Sequence, residues 1–342
     1  MQLRIGRMQS FLSRKLTGKR IGYSHSLKLA KTYGRYFSAK LKQKNYDAVI
    51  AVAASAELAF LETDLPVYYI ADATFANMTG YYSFYSELTK RSLQEGHETQ
   101  QRALKKAAKL FFPSEWAAQS AVNDYDIPLS KVNVLPFGAN LDHLPQAEIT
   151  VGDRCRLLFV GVEWERKGGP VALETLRELR RTGTDASLTI VGCSPNVNET
   201  GVTVIPFLDK NDPQQREQLT QLFAASDFLL LPTRAECYGI VFAEAAAYGL
   251  PSLTYDTGGV RGAVRENVNG FLFSETASGK DFAEKILALR EDPHALLSLK
   301  KSARRLYETE LNWNSWARRF AATILPASPA AQLQQAEQEA VQ

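Results

Sequence analysis

Two glutamates, Glu236 and Glu244, stand eight positions apart in the run LLLPTRAECYGIVFAEAAAYG, residues 229–249. A wholly helical step of that length would span about 12 Å, comparable to an extended diphosphate with a sugar hydroxyl at each end. Cys237, Tyr238 and Gly239 between them are expected to open a helix, so that free backbone N–H groups and the positive end of its dipole face an anion. The plainer reading makes Glu236 a solvated loop acid and Glu244 an acid facing water. The small apolar residues around Glu244 indicate close packing, where an ionised carboxylate needs a partner.

A cation that could meet the same anion comes from FVGVEWERKGG, residues 159–169. Lys167 follows Gly161 by six residues and precedes two glycines, which brings a charge to a place where backbone can approach a phosphate. An ordinary exposed Arg166–Lys167 pair is the alternative. Asp72 ends the apolar run VYYIAD; such an acid either caps the following turn or lines a cleft. His25, in YSHSL, reads as a surface or capping residue rather than a base.

These residues need elements to hold them. From Arg156 onward apolar runs alternate with amphipathic ones: strands at LLFVG, SLTIVG, VTVIPF, 228–232, 251–255 and 270–273, with helices from Pro170 to Arg181 and after Asp212-Pro213. Ala172, Leu173, Leu176 and Leu179 recur at helical spacing and place one face on a sheet. Continuously apolar strands separated by helices predict a doubly wound parallel sheet, whose ligands lie beyond the strand C-termini. Residues 1–138 read as another α/β domain, with strands at 46–52, 65–71, 110–113 and 132–137 and helices at about 26–41, 55–61, 86–108 and 115–125. Residues 139–153 are the expected linker, 154–310 the second domain, 311–325 a closing helix, and the Ala/Gln-rich 326–342 a disordered tail.

The Glu236-x7-Glu244 segment resembles that of retaining GT-B glycosyltransferases of family 4, and Gly161, Lys167 and Gly168 stand in register with the family's G-R-x-x-x-x-K-G pattern. The Arg of that pattern is Val162 here, and Arg166 is the candidate replacement. The resemblance covers roughly residues 47–316 and implies two Rossmann-like domains facing a cleft. It implies that Glu236 touches the transferred sugar, that Glu244 holds the ribose hydroxyls, and that the amides of Cys237, Tyr238 and Gly239 bind the diphosphate. Gly161, Arg166, Lys167 and a base-binding loop at 207–209 complete the donor site, although Phe207 reads equally well as core. Asp72 would line the acceptor side, and the last helix would brace the first domain. The reaction implied is hexose transfer from a nucleoside-diphosphate sugar to a glycan or lipid-linked hydroxyl, with retention; because lysine and helix amides can serve the diphosphate and no Asp-x-Asp or His/Cys cluster stands near them, no metal or other cofactor is expected. Against that pattern, residues 1–25 offer no strand followed by a Gly-rich turn, so the first domain is expected to lack its opening strands and to leave the strand at Tyr46 with an exposed edge.

At 342 residues, 45% hydrophobic and 23% charged, the composition is that of a globular protein with room for two cores. There is no run long enough for a membrane span and no secretory signal, and Cys155, Cys193 and Cys237 are too scattered for a disulfide frame or a zinc site, which points to the cytoplasm. Residues 1–44 hold twelve Lys/Arg and no Asp/Glu, against a net charge of +3 for the whole chain. With Leu27, Leu29, Ala30, Tyr33 and Phe37 as an apolar side, this segment suits an anionic membrane surface; a solvated helical face and an organelle transit peptide are the other readings. No recognition motif for nucleic acid accompanies the charge. A nucleotide-sugar epimerase, a sugar phosphorylase and an inactive binding protein are the competing functions.

Overall fold

The computed structural model describes residues 2–142 and 149–325. The expected tail, 326–342, and the middle of the expected linker, 143–148, lie outside the described residues.

The first domain opens with two helices, α1 (Gln2–Thr17) and α2 (Leu27–Leu41), followed by β1 (Val49–Val52), α3 (Ser55–Leu58) and β2 (Val67–Ile70). Two short helices, α4 (Phe75–Met78) and α5 (Ser83–Ser86), lead to α6 (Lys90–Lys106), β3 (Lys109–Phe112), α7 (Glu115–Asn123) and β4 (Val132–Val134). The four strands pair in parallel in the order β1-β2-β3-β4. Because each strand joins its neighbour in sequence, right-handed crossovers put α3, α6 and α7 on one face, where Leu58, Leu104, Ala117 and Ala121 close over Val67, Tyr69, Leu110 and Phe112. The opposite face is closed from the far end of the chain: Phe320 and Trp316 of α13 (Trp313–Ile324) pack on Tyr68, Ile70 and Phe111. The same cluster takes in Leu135, just beyond β4. Among the described residues β1 is paired on one side alone, and its Ile50 and Val52 are 56% and 66% exposed.

Two sequence expectations change here. The helix expected over 86–108 is broken, because Glu87–Thr89 pairs with the N-terminal segment: Arg20 N–H donates to Glu87 O (2.7 Å), Thr89 N–H donates to Arg20 O (3.0 Å), and Thr89 then caps α6. The apolar side of α2 is only partly free, since Leu29 and Ala30 are buried and Ala30 packs with Ala56, Ala59, Tyr33 and Phe60, while Phe37 stays exposed. A longer exposed apolar row lies on α1, at Met8, Phe11, Leu12 and Leu16.

The second domain runs β5 (Cys155–Val160), α8 (Gly169–Arg181), β6 (Ala186–Val191), β7 (Val202–Ile205), α9 (Pro213–Ala225), β8 (Phe228–Leu230), α10 (Ile240–Ala247), β9 (Ser252–Tyr255), β10 (Gly270–Phe273), α11 (Gly279–Glu291) and α12 (Pro293–Thr309). Asp212 caps α9 by accepting from the N–H groups of Gln214 and Gln215, with Pro213 at the first helical position. Leu157, Leu158 and Phe159 are all buried, as a strand covered on both faces requires. The parallel order is β10-β9-β8-β5-β6-β7. Sequence order reverses at β5, whose neighbours are β6 and β8, so the loops after β5 and β8 diverge and leave a crevice between them.

Candidate functional site

The crevice at the switch point receives both sequence signals. Beyond β5, Gly161 opens a tight loop in which Lys167 N–H donates to Glu163 O at 2.9 Å. Gly168 has φ +78°, and a Cβ there would lie 1.9 Å from Pro232 O, so only glycine lets the β5 loop close on the β8 loop. The Lys167 stem passes over Gly161, whose added Cβ would meet Lys167 Cγ at 2.9 Å. Its ammonium forms an ion pair with the Glu236 carboxylate, and the two side chains are only 12% and 13% exposed. Arg166 is tied to Glu163 by two hydrogen bonds and donates to Ala235 O at 2.6 Å, so its guanidinium lies beside the Glu236 turn while Val162 is exposed.

The helix after β8 starts later than the sequence suggested. It begins at Ile240, with Gly239 as N-cap at φ 82°, so Glu236 to Gly239 form a turn and the step to Glu244 is only half helical. The reason is that Gly239 takes a left-handed conformation, which ends helical propagation toward Glu236. Among the described residues the N–H groups of Cys237, Tyr238 and Gly239 have no hydrogen-bond partner. The Tyr238 side chain is not available to a ligand: it is buried against Phe137 and its hydroxyl donates to Phe137 O at 2.8 Å. Burial pushes the Cys237 thiol up to about 12, so it stays neutral, 3.4 Å from the Tyr82 hydroxyl.

Glu244 is 2% exposed and accepts from Lys210 Nζ at 2.6 Å, which excludes the reading in which it faces water. Burial raises its pKa, while Lys210 and the Asn140 backbone amide favour the charged form. Beside it lies a cavity of about 760 Å³ lined by Asn140, Lys210, Arg216, Tyr248 and Trp313. Phe207 is 66% exposed and so does not belong to the core. From the first domain, Asp72 opens on the cleft beyond β2; desolvation by the cleft walls raises its pKa, and the Glu236 charge adds to the effect. His25 packs against Phe75 and Tyr85, and burial lowers its pKa.

Sequence reasoning missed Lys210, Asn140, Tyr81 and Tyr82. Tyr81 crosses from the first domain to the Glu236 turn, its Oη accepting from Glu236 N–H at 2.8 Å. The signal was the aromatic run YYSFY, residues 81–85, in a connection between strands.

Residues 154–292 match the family model described as glycosyl transferases group 1. The matched span holds Gly161, Lys167, Phe207, Glu236 and Glu244, while Asp72 and Tyr81 lie outside it. The chain is similar to the D-inositol 3-phosphate glycosyltransferase of Corynebacterium aurimucosum, 27% identical over 207 residues covering 53% of this chain and 48% of that protein. It therefore spans about half the length of this curated relative. The described residues have the GT-B fold: the chain superposes on WaaG, a glycosyltransferase involved in lipopolysaccharide biosynthesis, with a TM-score of 0.61 at 21% identity over 85% of this chain and 82% of that one. Anabaena HepE, solved with UDP and glucose, matches with a TM-score of 0.62 at 17% identity over 84% and 81%. No helix among the described residues is long and apolar enough to cross a membrane.

Proposed function

We propose that this chain moves a hexose from a nucleoside diphosphate to an acceptor hydroxyl with retention at the anomeric carbon. The observation that carries the reading is the Lys167–Glu236 pair beside three unpaired amides at the switch point of the second domain. In such a transfer the bond from the anomeric carbon to the diphosphate breaks, the acceptor oxygen bonds to the same face, and the acceptor proton passes to the departing phosphate oxygen. The growing negative charge is met by Lys167, with Arg166 nearby, and by the amides of Cys237, Tyr238 and Gly239. Glu236 orients the sugar and stabilises positive charge at the anomeric carbon. Glu244, in contact with the 760 Å³ cavity, takes the ribose hydroxyls, and Phe207 offers an aromatic face to the base. Asp72 lines the acceptor side. Lysine and amides serve the diphosphate, so transfer proceeds without a metal. The acceptor is a glycan or a lipid-linked or phosphorylated polyol. The row Met8, Phe11, Leu12 and Leu16, beside Lys15 and Lys19, rests on an anionic membrane surface at the cytoplasmic side.

The deciding experiment is a thermal-shift screen against UDP, GDP and ADP sugars, followed by transfer assays with the stabilising donor in the presence of EDTA. Stabilisation by one nucleotide sugar and chelator-resistant transfer with a retained anomer are expected. No stabilisation by any of them refutes the donor site, and activity that only magnesium restores refutes metal independence.

A further inference from the structure

Tyr81 reaches the site from the first domain, in the connection between α4 and α5, and binds main chain rather than a ligand group. Its Oη accepts from Glu236 N–H at 2.8 Å and lies 3.0 Å from Thr257 Oγ1, to which its own proton can go. The Glu236 carbonyl accepts from Gly259 N–H at 3.0 Å and lies 3.4 Å from the Tyr81 hydroxyl, a second acceptor for its proton. The ring is fixed within its own domain against Trp116 and Tyr82, at centroid distances of 5.3 and 5.2 Å. The opposing turn leaves room for the phenol: Gly258 has φ +52°, and a Cβ there would stand 2.4 Å from Tyr81 Oη. Burial raises the Tyr81 pKa, so the hydroxyl keeps its proton across the neutral range.

In the stretch from Glu236 to Gly239, the Glu236 amide alone has a hydrogen-bond partner among the described residues, and that partner belongs to the other domain. The bond can exist only when the domains stand this close. We propose that Tyr81 is a positioning residue that fixes the Glu236 turn when the cleft closes, so that the carboxylate reaches the donor sugar only in the closed form. This rests on the transferase reading above. Tyr81 touches no reacting atom; it acts through Glu236, and the amides of Cys237, Tyr238 and Gly239 remain available to the diphosphate.

The test is Tyr81→Phe in the full chain, which keeps the ring and its contacts with Trp116 and Tyr82 but removes the hydroxyl. Amide exchange at Glu236, read by hydrogen exchange in the ligand-free protein, should quicken about tenfold, the effect of losing one buried hydrogen bond. Turnover should fall by a similar factor, about tenfold, while affinity for the free nucleoside diphosphate stays within about twofold, since Lys210 and Glu244 are untouched. In the Glu236→Gln background the same change should cost less than about twofold, because the group it positions is already lost. Unchanged exchange at Glu236 overturns the proposal, as does an equal loss in both backgrounds. If the wild-type protein transfers no sugar, the transferase reading fails, and the exchange measurement still decides whether Tyr81 holds Glu236.

Discussion

Replacing Lys167 by Ala removes the cation in the crevice that forms an ion pair with Glu236. Both side chains are almost nine-tenths enclosed, at 12% and 13% exposure. A unit charge there acts through an effective dielectric nearer 20 than 80, worth about 4 kcal/mol on a full opposite charge at about 4 Å, against about 1 kcal/mol in open water. Departure of a nucleoside diphosphate adds about one negative charge, most of it developed in the transition state, so about 3 kcal/mol of stabilisation is lost and turnover should fall about 10²-fold. Ground-state binding should suffer less, because the diphosphate keeps the three unpaired amides. Initial rates of sugar transfer at saturating donor, paired with calorimetric binding of the free nucleoside diphosphate, separate the two effects. A Lys167→Ala protein with near wild-type turnover refutes the assignment. So does one whose entire loss appears as donor KM, since the lysine would then bind ground and transition state alike.

Other outcomes follow from the same geometry. The raised pKa of Glu244 means that the folded state holds its proton more tightly than the unfolded chain does, so wild-type stability declines as pH rises from the ordinary carboxylate value through the folded one. Glu244→Gln should therefore gain in Tm over wild type as pH rises above the ordinary carboxylate value, while donor KM rises about tenfold; an advantage that shrinks with pH would show that Lys210 outweighs burial. Gly161→Ala should push the Lys167 stem aside and cut turnover by about tenfold or more with little change in Tm, measured by the same transfer assay; full activity would show that the lysine can move away at no cost.

Much of the second domain was legible in sequence because its cues are local. The Asp212-Pro213 cap, the Leu173-Leu176-Leu179 stripe and the apolar runs at 157–159 and 228–230 each depend on residues within a few positions, and each forms the element its periodicity predicts. The Glu236-x7-Glu244 spacing and the Gly161–Lys167 loop pointed to an anion site for the same reason. Tertiary structure decided what those residues meet. Lys167 finds Glu236 across 69 positions because β5 and β8 are neighbours at the switch point, and Glu244 finds Lys210 across 34. The expected helix over 86–108 breaks because Arg20 pairs with Glu87–Thr89, a contact that no local propensity encodes. The basic segment shows the same limit: periodicity gave α2 an apolar side, but whether that side meets core or solvent depended on Ala56, Ala59 and Phe60 packing against it. Tyr81, 155 positions from Glu236, is a further case. A hydrogen bond between domains depends on how two finished sheets pack, and side-chain periodicity within either one carries no information about that distance.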